Sequence, residues 1–118
     1  MRSLHANWYW VAVITNGLAG AWGIGLVLLK RPTNRFFNWA AGIAVVAMLL
    51  QVTFGLVLYQ QGWRPANDFH IFYGFVILFT FTFAYIYRIQ YEKRPALMWG
   101  LTLLFVMGLG LRAFANVR

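Results

Sequence analysis

Four long apolar runs, parted by short polar stretches, organise this 118-residue chain. They fall at about residues 8–29, 36–59, 69–87 and 97–114, and each is near the roughly 20 residues a helix needs to cross the hydrocarbon of a bilayer. The stretches between them carry turn chemistry. "KRPTNR" supplies Pro32 with Thr33 or Asn34 as a cap, "QQGWRPAND" supplies Gly62, Pro65 and the Asn67/Asp68 cap, and "YEKRPA" puts Pro95 at a helix start. No run alternates apolar with polar residues over strand length, which excludes a β-barrel. The pattern predicts an all-α integral membrane protein. Its single domain, residues 1–118, has four transmembrane helices arranged as two antiparallel hairpins.

Composition agrees with the pattern. Hydrophobic residues make up 62% of the chain and charged residues 10%, where a soluble domain carries about a quarter charged. The net charge of +8 would suggest nucleic acid in a soluble protein. Here the cations sit between apolar runs, so they point to lipid headgroups and topology, with no nucleic-acid partner. Lys30, Arg31 and Arg35, with Arg88, Lys93 and Arg94, fall in the two odd-to-even loops; Arg2, Arg64, Arg112 and Arg118 fall on the other side. The excess places loops 30–35 and 88–94 in the cytoplasm and both termini outside. A bacterial inner membrane is the expected location, and the N-terminus reads as an uncleaved first anchor. Trp8, Tyr9, Trp10, Tyr59 and Trp63 are expected as an outer interfacial belt. Phe36, Phe37, Trp39, Tyr87, Tyr91 and Trp99 are expected as an inner one.

Small or polar residues recur at three-to-four spacing on each run, where they allow helices to approach in lipid. The first run has His5, Ala12, Asn16, Ala19 and Gly23, with Gly17, Ala21 and Gly25 on a neighbouring stripe. Gln51 and Gly55 mark the second run, His70 and Gly74 the third, and Gly100, Gly108 and Arg112 the fourth. The second stripe on the first helix hints at a partner outside the bundle. A faint repeat, "HANWYW" against "HIFYGF" with Trp39 and Trp99 recurring later, is compatible with a duplicated hairpin.

Candidate chemistry is sparse. There is no cysteine, and two histidines and two acids cannot furnish a catalytic triad or a three-ligand metallohydrolase site. The chain is similar to small proton-coupled exporters in size only, since it lacks their intramembrane acid, and no selectivity filter or phosphate loop is visible. What remains is His5, His70 and Arg112 near the outer leaflet. If the two histidines point inward they could hold a b-type haem from opposite sides, with Arg112 or Arg64 pairing a propionate. In that broad sense the layout resembles small membrane cytochromes. Gln51 is expected to bond Asn16 or a backbone group, and Asp68 to cap the third helix. The leading expectation is a small non-catalytic subunit packed within a larger energy-transducing or respiratory membrane complex, contacting lipids and larger integral subunits. The alternatives are bis-His haem binding with an electron-transfer role, and a quinone- or lipid-binding protein using Arg112 and His70.

Overall fold

The computed structural model describes residues 2–65 and 69–115; Asn67 and Asp68, expected as a cap, lie outside them, as does Arg118. Five helices follow one another: α1 (Arg2–Leu28), α2 (Arg35–Gln60), α3 (Phe69–Ile86), α4 (Arg88–Lys93) and α5 (Pro95–Ala115). Four of them, all but α4, are long and apolar enough to cross a membrane. The longest dimension, 47 Å, slightly exceeds the roughly 40–45 Å of a bilayer with its headgroups.

Local chemistry explains the helix ends. Asn34 is the N-cap of α2, its side-chain oxygen accepting from the Phe37 amide at 2.9 Å. Pro95 opens α5, where its missing N–H removes nothing the helix uses. α1 and α2 both close with the same pair of turn bonds. Arg31 N–H reaches the Leu26 carbonyl while Lys30 N–H reaches Val27; Trp63 N–H reaches Leu58 while Gly62 N–H reaches Tyr59. The residue in the left-handed conformation is Lys30 (φ 56°) in the first turn and Gly62 (φ 96°) in the second. α1 begins near Arg2 instead of near residue 8, so His5 sits within a helix and not on a loose tail.

α1 is the central element, packed on α2 along one side and on α5 along the other, while α3 packs mainly on α5. Neighbouring pairs run in opposite order along α1 and α5. Gly17 lies by Met107, Gly20 by Leu104, and Gly23 by Gly100. A Cβ on Gly23 would come within 2.7 Å of the Ala96 carbonyl oxygen, and one on Gly100 within 3.1 Å of the Ile24 nitrogen. These two backbones are therefore in direct contact, which only glycine permits. Of the second small-residue stripe of α1 only Gly17 takes part in this crossing, beside Gly20 and the first stripe's Gly23. Gly25 and Gly108, however, have nothing within 4 Å of an added Cβ, and Ala21 is exposed; among the described residues no helix packs on them. Gly110 of α5 also packs, against Val13 and Met48, on the face opposite Gly108.

On the other side of α1, polar side chains reach backbone carbonyls of α2. Trp8 Nε1 donates to the Ala47 carbonyl at 2.8 Å, and the fully buried Asn16 donates through Nδ2 to Ala44 at 2.9 Å and to Ala12 at 2.8 Å. Alanines at 41, 44 and 47 make this feasible, because a short side chain leaves the helix backbone open to a neighbour. Asn16 thus bonds α2 backbone and not Gln51, whose Oε1 has no partner among the described residues. The two expected aromatic belts are also revised. Phe37 is fully buried, Tyr9 and Tyr91 are buried, and Tyr91 shares a 2.6 Å hydrogen bond with Thr102. These rings are interior packing, while Trp10, Trp39 and Phe36 remain exposed. Trp39 is 71% exposed while Trp99 packs edge-on against Tyr91, so that part of the repeat has no structural counterpart.

Candidate functional site

α2 and α3 barely touch. The space between them, at the end of the bundle that carries the starts of α1 and α3, is a cavity of about 810 Å³. Cofactor and small-molecule sites usually measure about 300–1,000 Å³. Its wall is mostly apolar, and His5, His70, Tyr9, Gln51 and Arg64 are among the polar residues that line it.

The two histidines are brought together here. Their ring centroids are 6.1 Å apart and their planes are nearly perpendicular, at 85°. His5 Nδ1 lies 3.1 Å from the Gln51 carbonyl oxygen on α2, and His70 Nδ1 lies 3.0 Å from the Ala113 carbonyl oxygen on α5. A carbonyl can only accept, so each Nδ1 carries a proton, and in a neutral ring so held the lone pair is on Nε2. The His5 ring lies with its Cε1 edge toward Gly55 of α2, Nδ1 and Nε2 equally distant, at 3.6 Å, from where a Cβ there would lie. Fixing a histidine through Nδ1 in this way is how proteins orient an imidazole that ligates metal. Each histidine, moreover, binds a carbonyl on the next long helix of its own half, a match that fits the faint repeat in the sequence.

Glycines make the room. A Cβ on Gly55 would lie 3.0 Å from His5 Cε1, so Gly55 is the seat of that ring. Gly74 lines the cavity one turn beyond His70, with open space where a side chain would be. Two buried polar groups also face this space without a partner among the described residues: Tyr9 Oη and Gln51 Oε1, each on a residue only 8% exposed. A buried orphan of this kind normally finds a partner in water or ligand.

Arg112 is elsewhere. It is exposed and its Nε lies 3.4 Å from the Tyr73 hydroxyl, outside the cavity wall. The cation at the cavity is Arg64, which donates to the Tyr59 and Trp63 carbonyls and stacks at 3.8 Å over the Tyr59 ring. Tyr9 was expected in a belt, and nothing in its sequence context marks it as a cavity residue. Gly55 was legible as a small residue one turn after Gln51, though not as the seat of a ring.

The donor set limits the chemistry. No group of three or more His, Cys, Asp or Glu side chains is present among the described residues, so a metal held by protein ligands alone has no cage here. A haem brings four nitrogens of its own and needs the protein only at its axial positions, where two imidazoles suffice. Two imidazoles holding one metal from opposite sides, each nitrogen about 2 Å from it, have centroids about 6 Å apart. The observed centroid separation of 6.1 Å is of that size. Comparisons of this chain with family models, with curated proteins and with solved structures find no match.

Proposed function

We propose that this chain is a b-type haem protein of the membrane that carries electrons. His5 and His70 are the residues that would hold the haem. The observation that carries the reading is the pair of imidazoles from α1 and α3, 6.1 Å apart, each tied through Nδ1 to a backbone carbonyl. A haem held by both histidines would supply outer-sphere electron transfer. The residues of this chain orient the ligands and exclude water. Arg64 is the group placed to pair a propionate, and Tyr9 and Gln51 offer hydrogen bonds to polar substituents or to water. In the frame that the loop charges favour, the chain forms two hairpins with both termini outside, and the haem lies near the outer leaflet.

The test is an absorption spectrum of protein purified in mild detergent, oxidised and dithionite-reduced. A Soret band that shifts on reduction is expected, lost in both His5→Ala and His70→Ala while circular dichroism keeps its helical signal. Arg112→Ala should leave the band in place. A colourless protein from haem-replete cells would remove the reading.

A second reading keeps the chain as a small non-catalytic subunit of a larger, energy-transducing membrane complex. Its support is the uncovered small surface at Ala21 and Gly25 on α1 and at Gly108 on α5, where another helix could approach closely. Co-purification of a larger integral protein, lost in Gly25→Leu, would favour it. The two readings are compatible, since a subunit can carry a haem.

A further inference from the structure

The end of the bundle opposite the histidines carries a different feature. There the turn after α1 and the turn before α5 enclose a recess of about 270 Å³. Lys30 and Arg31 line it from the first turn and Lys93 and Arg94 from the second, above apolar walls that include Leu26 and Leu97. None of these four cations forms an ion pair with a described residue. The other two cations at this end are engaged differently. Arg35 lies over the Phe36 ring, and Arg88 bonds the Tyr85 carbonyl and lies over the Tyr85 ring. The convergence is therefore specific to four side chains from two distant segments.

Lys30 adds an independent observation. It is the only non-glycine residue with positive φ among those described, and it occupies the turn position that Gly62 fills at the end of α2. Glycine is the default there because a Cβ crowds the backbone. A residue kept in an unfavourable conformation suggests that its side chain serves a purpose at that spot. Lys30 is one of the residues that line the recess.

We propose that this recess binds the headgroup of an anionic glycerophospholipid. Its phosphodiester is held among Lys30, Arg31, Lys93 and Arg94, and its acyl chains follow Leu26 and Leu97 into the hydrocarbon. Basic pockets between transmembrane helices bind such headgroups by this combination of charge and apolar wall. A bound lipid would also bridge the α1 and α5 ends.

The experiment is native mass spectrometry of the detergent-purified protein with phosphatidylglycerol, with phosphatidylcholine of the same acyl chains, and with inorganic phosphate as competitor. Phosphatidylglycerol should be retained in preference to phosphatidylcholine. Retention should fall about fivefold for each of Arg31→Gln and Arg94→Gln, and stay unchanged in Arg35→Gln and Arg88→Gln. Lys30→Gly is the decisive variant, because it should melt at a higher temperature in lipid-free detergent while losing lipid about fivefold. Equal retention of both lipids would overturn the proposal, as would undiminished retention in Lys30→Gly or an equal fall in the Arg35 and Arg88 variants. Displacement of the lipid by millimolar inorganic phosphate would assign the recess to free phosphate and overturn the lipid as its occupant.

Discussion

The two halves of α1 meet their neighbours in opposite ways. Toward Leu28, Gly20 and Gly23 let α5 approach until Gly23 and Gly100 touch through backbone. Toward Arg2, the rings of His5, Trp8 and Tyr9 stand between helices, α2 and α3 stay apart, and a cavity of about 810 Å³ opens. Lipid offers no hydrophobic drive for helices to close on one another, so side-chain size and hydrogen bonding set their distance. Where side chains vanish the bundle is tight. Where rings are anchored to carbonyls of neighbouring helices, it stays open.

Filling the open half should have the largest effect. Gly74→Leu puts a side chain into empty space beside His70, and haem absorbance should disappear while helical content and monodispersity persist. Retained absorbance would mean that the cavity is not the haem site. At the tight half, Gly23→Ala or Gly100→Ala must push backbone away from backbone, and reversible unfolding in mixed micelles should report a loss of about 1–3 kcal/mol. Unchanged stability would show that the crossing is looser than drawn.

The two matching turns sharpen the comparison further, with opposite signs. Gly62→Ala forces a Cβ onto a φ of 96° and should cost about 1–2 kcal/mol. Lys30→Gly relieves the same kind of strain, partly offset by the freedom glycine gains when unfolded, for a net gain under about 1 kcal/mol. Thermal unfolding of both variants in one detergent reads the two signs together. Smallest of all, Gly25→Ala and Gly108→Ala meet no neighbour and should stay within about 0.5 kcal/mol of the parent in the isolated protein. A large loss at either would reveal a contact made by a second copy.

How much was legible beforehand differs from residue to residue. Asn34 and Pro95 could be read as helix starts because capping depends on atoms three or four residues away. Gly100 and Gly17 were read as packing residues and do pack. Gly25 and Gly108 carry the same spacing and do not, because spacing defines a stripe on a helix without saying which way the helix is turned. The same ambiguity put Phe37, Tyr9 and Tyr91 in aromatic belts when their rings point into the bundle, and it let Arg112 stand as a site residue when its guanidinium lies by Tyr73.

Four helices long and apolar enough to cross a membrane follow from the sequence alone, since transfer of an apolar run into hydrocarbon depends on its length and composition, and neither needs a neighbour. The meeting of His5 with His70 does not follow from it. Each histidine opens a polar stretch ahead of an apolar run, and the sequence leaves the direction of each ring free. Only the tertiary structure brings α2 against α1 and α5 against α3, where the carbonyls of Gln51 and Ala113 take the Nδ1 protons and both rings line one cavity.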